Sequence, residues 1–384
     1  MKKIKNILYN ISDNLYRLHL KNNEIKKYKK KSRKKIYEKV KLTKKQKKAI
    51  DDIYITNYGK KIPYTWHRHF TCFTGNFDES YFPELLFIPE FERYENLYSK
   101  YINFVEDKNT LKNIADFFEI KMPKTILSCQ GGIYKNSRME TIDYEDVLSL
   151  INDQGDCFIK PTIDSCSGER CLLLNIVNGF DKINNIPIGE LIESYGNDFV
   201  IQEKIICHES IKKIYPLGVC TFRVITYRWK NNIEVMPAIM RIGQKGNYLD
   251  NAHAGGMFIA IDNDGSLHKK AFTEFKVEYT KHPDTGIKFD GYKIDLFPKV
   301  IQEAKRVHSV MPNLGCVNWD FTINDSGEVV LIEANLNGGS IWLIEMAHGK
   351  GAFGDRTAEI LKWIRKMNSL NIEERKKYLF GKEM

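Results

Sequence analysis

The sequence predicts a mixed α/β (α+β) fold of two or three lobes, preceded by a mainly helical, basic N-terminal segment. Three observations carry this. Residues 318–335 contain two short runs rich in β-branched and aromatic residues, split by Asp325-Ser326-Gly327, which is the pattern of a hairpin. From Asp107 onward, strand-like and helix-like apolar patterns alternate along the chain. At 384 residues the chain can bury a sizeable core in more than one lobe.

Composition narrows the function classes. Hydrophobic content of 42% with 28% charged residues is that of a soluble protein, and no apolar run reaches the roughly 18 residues of a membrane span. Asn10, Ser12, Asp13 and Asn14 interrupt what would be the apolar stretch of a signal peptide, so a cytoplasmic protein is expected. The eight cysteines form no C-x-x-C pair, which indicates neither a zinc site nor a disulfide framework and fits reduced thiols. Net charge is +10, yet residues 1–48 hold 19 Lys or Arg against three acids, an excess of 16, so the rest of the chain carries −6. The basicity belongs to the N-terminal segment and does not support a nucleic-acid partner.

Taken in order, Ile4, Ile7, Leu8, Ile11, Leu15 and Leu18 recur at helical spacing ahead of the lysine-rich run 26–35. Such a segment suits either a solvated helix or one lying on an anionic membrane, so peripheral contact at the inner membrane face through residues 1–48 is one expectation. Thr43 and Gln46 have the spacing of a capping box, which predicts a helix of about 15 residues ending near Gly59. Residues 1–60 are assigned to this arm. Residues 61–106 are an aromatic-rich connecting subdomain. Its Tyr64, Trp66, His67, Arg68, His69, Phe70, Phe73 and Phe77 suit a seam between subdomains, or a surface that stacks sugars or bases.

Beyond it, Asn109 or Thr110 caps a helix running through Phe118, residues 124–127 and 157–161 are strands, and 143–151 is helical. Lys160 ends its strand at Pro161 and precedes a small polar loop. Ser165, Ser167 and Gly168 in that loop can turn backbone N–H groups toward phosphate oxygens, although the loop reads equally as a hairpin turn and is no Walker loop. Residues 199–203 are a strand ending in Gln202 and Glu203. The strand 221–229 puts Thr221, Arg223 and Ile225 on one face, and 233–242 returns as a strand with Arg241. An arginine inside a strand needs an anion, from a ligand or a neighbouring acid. In the loop from Asp250 through Asn251 and His253 to Gly255 and Gly256, the paired glycines permit close backbone approach to a ligand or simply turn the chain. A helix from Leu296 to Val310 leads into the hairpin, and an amphipathic helix over 356–366 follows Asn337-Gly338-Gly339.

Within the hairpin, Glu333 and Asn335 are two positions apart and project from one face, with Asp320 offered from the paired strand. Oxygen donors on neighbouring strands suit a hard cation, whereas the same residues at wet strand ends would hold none.

The order of Lys108, Phe158-Ile159-Lys160-Pro161, Thr221 to Thr226, Arg241-Ile242-Gly243, Asp250-Asn251 with Gly255-Gly256, and Asp320 with Glu333-Ala334-Asn335 resembles the ATP-grasp superfamily. Residues 107–366 look like its branch associated with sugar transfer and bacterial surface polysaccharide gene clusters, similar to teichuronopeptide biosynthesis proteins. The resemblance implies an ATP-grasp fold, with ATP between the antiparallel sheets of two α/β lobes, here 107–202 (nucleotide side) and 203–370 (metal and substrate side), and a tail at 371–384. It implies Lys108 and Lys160 against ATP, Ser165 to Gly168 over the phosphates, Gln202 and Glu203 at the hinge, and Glu203 on the ribose. Glu169-Arg170 departs from the second glycine often found in that loop. Asp320, Glu333 and Asn335 would bind Mg²⁺, with Mn²⁺ as the alternative. Arg223 would meet the γ-phosphate or acyl phosphate, Arg241 the phosphate or the acid, and Asn251, His253, Gly255, Gly256 and Asn337 would lie on the substrate side.

The implied reaction is ATP-dependent, ADP-forming carboxylate-amine ligation through an acyl phosphate, with a small-molecule amine and a sugar carboxylate as partners. The acid would be a uronic acid of a nucleotide sugar or glycan in capsule or surface polysaccharide biosynthesis. Two other readings are a phosphotransferase on a sugar substrate with the same fold, and a membrane-surface binding protein that uses the basic arm; the −6 charge of the body argues against the second.

Overall fold

In the computed structural model, which describes residues 2–97, 99–163 and 169–382, the strand Thr221–Trp229 lies at the heart of the larger lobe. Alternation sorts its side chains onto two faces. Phe222 and Val224 join a core with the helix Phe297–Ser309, while Ile225, Tyr227 and Trp229 join a second core on the other side. Around it the antiparallel sheet runs Glu278–Tyr279, Leu267–Thr273, Met257–Ile261, Ala238–Ile242, Thr221–Trp229, Cys316–Ile323 and Val329–Asn335, with Asn232–Val235 hairpinned onto Thr221–Trp229.

The smaller lobe is also an antiparallel sheet, ordered Thr141–Ile142, Ile133–Asn136, Thr125–Gln130, Phe199–Glu203, Gly155–Pro161, Leu172–Val177, Phe180–Asp181 and Ile186–Pro187. Val147 and Ile151 of the helix Tyr144–Ile151 and Ile188, Leu191 and Ile192 of Ile188–Tyr195 close its core. The helix Lys108–Phe117 ties the lobes together. Leu111 and Ala115 enter the core of the larger lobe, while the Lys108 amide donates to Thr162 O (3.1 Å) and Asn109 Nδ2 to Cys129 O (3.1 Å).

The N-terminal segment is helical as expected, but it is docked on the larger lobe and does not trail from it. Helices Lys2–Lys29, Lys31–Tyr37, Lys44–Tyr58 and Thr65–Thr74 share one hydrophobic core with Ile341–His348, Thr357–Ser369 and the far face of the sheet. Thr43 and Gln46 form the capping box, at 3.2 and 2.9 Å, and Gly59 ends the helix in the left-handed region. The aromatic stretch is a seam: Trp66, Phe70 and Phe73 are buried, and Phe73 meets Phe272 of the sheet edge-on at 5.5 Å.

Two local expectations change, and one helix was not anticipated. Asp107, not Asn109 or Thr110, caps its helix, accepting the Thr110 amide at 2.7 Å. The strand expected over 233–242 is two strands, because Pro237 has no N–H for the ladder. The helix Ile341–His348 has no polar face, all eight residues being buried, so it has no amphipathic signature to read.

Candidate active site

Asp320 stands on Cys316–Ile323 between Arg223 of one neighbouring strand and Glu333 of the other, the direct partner of each across the ladder. Facing groups on adjacent strands share a face, so the sheet itself gathers them. Asp320 is fully buried. Arg223 meets it at two points, Nε to Oδ1 at 2.5 Å and Nη2 to Oδ2 at 2.9 Å, and Arg241 Nη2 lies 2.8 Å from Oδ2. The anion that each strand arginine requires is therefore Asp320.

Arg241 is oriented from behind. Its Nε and Nη2 donate to Thr221 Oγ1 at 2.9 and 2.8 Å, and Nη1 donates to Asn251 Oδ1 at 3.0 Å. Thr221 in turn donates its hydroxyl and amide to Asp250, at 2.5 and 2.9 Å. Arg223 Nη1 also donates to Ser340 Oγ at 3.1 Å. Thr221 and Asp250 stood in motifs legible in the sequence but with no role of their own, and Ser340 gave no signal; the contacts with the two arginines identify all three.

Lys108 Nζ is 3.7 Å from Glu333 Oε2. Burial acts to raise Glu333, but Lys108, the hydrogen bond with Asp320 and the two arginines overcome it and hold the carboxyl well below the usual range. Asp320 goes the other way: burial, with Glu333 adding to it, pushes its carboxyl up to about 6 against the pull of the two arginines. Burial likewise pushes Lys160 down, with Lys108 adding to the effect. Asn335 Nδ2 donates to Glu333 Oε1 at 3.4 Å, which leaves the Asn335 Oδ1 beside the two carboxylates as a third oxygen that could ligate. A carboxylate has about four acceptor positions, so Asp320 keeps capacity beyond its arginines, and the set fits a hard cation such as Mg²⁺.

The loop beyond Asn335 is clamped by two acids that sequence reasoning missed. Glu106 accepts the amides of Leu336 (2.7 Å) and Asn337 (3.1 Å). Glu92, in the π-helix Phe87–Glu92, accepts those of Gly338 and Gly339, both at 2.8 Å, and Asn318 Nδ2 at 3.2 Å. Burial pushes Glu92 up to about 8 against those hydrogen bonds, which favour the ionised form.

Between the sheets lies a cavity of about 1070 Å³, lined by Phe158, Lys160 and Gln202 from the smaller lobe and Arg223, Arg241 and Glu333 from the larger. That volume is ample for a nucleotide-sized ligand. Gln202 Nε2 donates to Pro123 O at 3.5 Å, while Oε1 is buried with no hydrogen-bond partner among the described residues. An orphaned buried acceptor at a cavity wall is the mark of a ligand donor. Glu203, half-exposed at the rim, pairs with Lys124 at 2.7 Å. Lys108, Asn251, His253, Asn335 and Asn337 also line the cavity. Gly255 and Gly256 do not. A Cβ on Gly256 would stand 2.3 Å from Asp250 O, and Gly255 has φ +92°, so both glycines are required by the path of the loop itself. Ser165, Ser167 and Gly168 lie outside the described residues.

No curated protein matches the chain. Among solved structures, it is similar to N5-carboxyaminoimidazole synthase from Aspergillus clavatus, in complex with ADP and 5-aminoimidazole ribonucleotide (9% identity, TM-score 0.37, 62% of this chain and 46% of that one). It is also similar to an L-amino acid ligase from Bacillus licheniformis (12%, 0.35, 62% and 42%) and to D-alanyl-alanine synthetase A from Vibrio cholerae (13%, 0.42, 69% and 65%). The chain thus spans about half the length of the first of these. A family model described as sugar-transfer associated ATP-grasp matches residues 87–360, which takes in both sheets, the clamp from Glu92 to the loop and every wall of the cavity named above. With that match over most of its length, the chain belongs to the sugar-transfer associated ATP-grasp family.

Proposed function

We propose that the chain is a cytoplasmic, ATP-dependent, ADP-forming carboxylate-amine ligase that joins an amino acid or other amine to a uronic acid sugar during surface polysaccharide biosynthesis. The observation that supports it is the gathering of Lys108, Lys160, Arg223 and Arg241 around Asp320 and Glu333 in one cleft. There the four cations meet three acids, Asp320, Glu333 and Asp250, and Glu106, Asp107 and Glu203 also line the cleft, so the cations would supply local donors to a triphosphate and a carboxylate substrate and a divalent cation the remaining positive charge.

We assign Lys108 and Lys160 to the phosphates, Gln202 Oε1 to the amino group of adenine, and Glu203 to the ribose hydroxyls. Asp320, Glu333 and Asn335 would hold Mg²⁺, which when bound supplies charge neutralisation at the phosphates. In the first step a carboxylate oxygen of the acid bonds to the γ-phosphorus as the bond to ADP breaks. In the second the amine nitrogen bonds to the acyl carbon, phosphate leaves with the former carboxylate oxygen, and the amine gives up its proton. Arg223 and Arg241 steady the negative charge that builds on the transferring phosphoryl group and then on the acyl oxygen. No covalent enzyme intermediate is needed. The sugar assignment rests on the family and on the cavity mouth, where Phe104, 55% exposed, offers an aromatic face beside Asn103.

The test is ADP release by the purified chain with Mg-ATP and a panel of nucleotide-linked uronic acids, each with and without mixed amino acids. Release that needs both substrates, with a product heavier than the acid by the amine less water, supports the ligase. Release with sugar alone and a stable phosphorylated product replaces it with a phosphotransferase.

A further inference from the structure

We infer that the helix Lys2–Lys29 is a docking element that seats the protein on an anionic lipid surface. This helix is amphipathic the wrong way round. Its polar residues face the protein: Asp13 pairs with Arg93 at 2.5 Å and Arg375 at 2.6 Å, Lys21 and Arg17 reach Glu90 at 2.6 and 3.4 Å, and Asn10 accepts the Ile372 amide at 3.1 Å. On the other side Ile7, Leu8, Ile11, Leu15 and Leu18 are 53, 62, 51, 62 and 51% exposed. At 3.6 residues per turn those five fall within an arc of about 100°, the width of a stripe that ordinarily faces a core. Ion pairs along residues 13–21 and the core contacts of Ile25 and Tyr28 hold the helix in place, and the apolar stripe over residues 7–18 is left in water.

A contiguous apolar stripe on a surface marks an interaction site, and charge selects the occupant. Continuing along the same line of the helix come exposed Lys26 and Lys29, then exposed Lys30, Lys31, Lys34 and Lys35. A second copy of the chain would bring an equally basic segment against this one. An anionic bilayer neutralises the lysines and takes the stripe into the boundary between headgroups and acyl chains. The lysine-rich end of this segment is tied to the cleft wall. Arg33, on the next helix, lies over the ring of Trp342 at 5.3 Å, and Trp342 lines the cavity. The inference stands independently of the chemistry proposed for the cleft.

The experiment is flotation of the full chain with vesicles of phosphatidylcholine alone and of phosphatidylcholine with phosphatidylglycerol, at low and high salt. It is repeated with the double substitutions Leu15→Asp with Leu18→Asp, and Lys26→Glu with Lys29→Glu. None of these residues lines the cleft, and all are exposed, so melting temperature should not change. The expected result is binding to the anionic vesicles alone, weakened by salt. Loss of the two lysine charges alone should weaken it by about thirtyfold, from roughly a fivefold contribution per lysine at the lipid surface, and the glutamates add repulsion, so the reversal should weaken it by at least that much. The aspartate pair should abolish it. The inference is overturned by absent binding, by equal binding to both vesicle types, or by binding that survives both double substitutions. It is also overturned if light scattering shows a dimer that the aspartate pair dissolves, because the stripe would then belong to a second copy.

Discussion

Asp320 and Arg223, 97 residues apart in the chain, stand opposite one another on adjacent strands and join through two hydrogen bonds of 2.5 and 2.9 Å. Arg241 shares the same carboxylate. Removing Asp320 would leave two guanidinium groups facing each other in a buried site. We therefore expect Asp320→Ala to lower the unfolding free energy by about 3–5 kcal/mol, measured by urea titration, in addition to abolishing turnover. A loss below about 1 kcal/mol would mean that the pair is not a buried linchpin of the lobe.

Glu333 is the cleaner probe of the cation site, because its side chain is 27% exposed and anchors no arginine bidentately. Glu333→Gln should lower kcat by about a thousandfold, which is about 4 kcal/mol of transition-state stabilisation, with the far-UV spectrum unchanged. Near-normal turnover in that variant would remove Glu333 from the proposed metal set.

Glu92 predicts a pH dependence whose sign follows from linkage. Its carboxyl goes from an ordinary 4.5 to about 8 on folding, so the folded chain binds the extra proton between those values. The contribution is fully present below about pH 4.5 and is lost as pH rises through about 8. Glu92→Gln should reduce the decline in stability between pH 7 and 8 by up to about 1.4 kcal/mol per pH unit. Glu95 and Glu345, which burial also pushes up, keep the remainder of the slope. An identical slope in the variant would mean that Glu92 is ionised throughout.

Gly339 should not tolerate a side chain. A Cβ there would lie 2.5 Å from Glu92 Oε1 and 2.6 Å from Asn318 Nδ2, the two groups that hold the loop following Asn335. Gly339→Ala should cost about 1–3 kcal/mol of stability and lower kcat/KM, because the displaced loop takes Asn335 with it. Unchanged stability and turnover would show that the clamp yields freely.

How much of this was legible depends on how local each signal was. The hairpin announced itself through Asp325-Ser326-Gly327, the helix at Lys44–Tyr58 through its capping box, and the facing of Asp320 and Glu333 through strand alternation. Those signals span a few residues each. The pairing of Arg223 and Arg241 with Asp320 could be anticipated only as a need for some anion, since the partner comes from a strand about a hundred residues away. Glu92 and Glu106 were unreadable for the same reason: each looks like a helical acid until the loop some 230 to 250 residues later closes on it. At 255 and 256 the glycines serve the path of the loop, Gly256 approaching the Asp250 carbonyl and Gly255 taking a positive φ, a distinction that the Gly-Gly pair alone does not make.

The most direct test of the proposed ligase follows the fate of one oxygen atom. The acid found in the substrate panel is prepared with heavy oxygen in its carboxylate and turned over with Mg-ATP and the amine, and the released phosphate is examined by mass spectrometry. An acyl phosphate transfers one carboxylate oxygen to phosphate, so each phosphate formed should carry one label and the amide should keep the other. Unlabelled phosphate, with both heavy oxygens left in the sugar product, would contradict the account and show that the carboxylate is never activated.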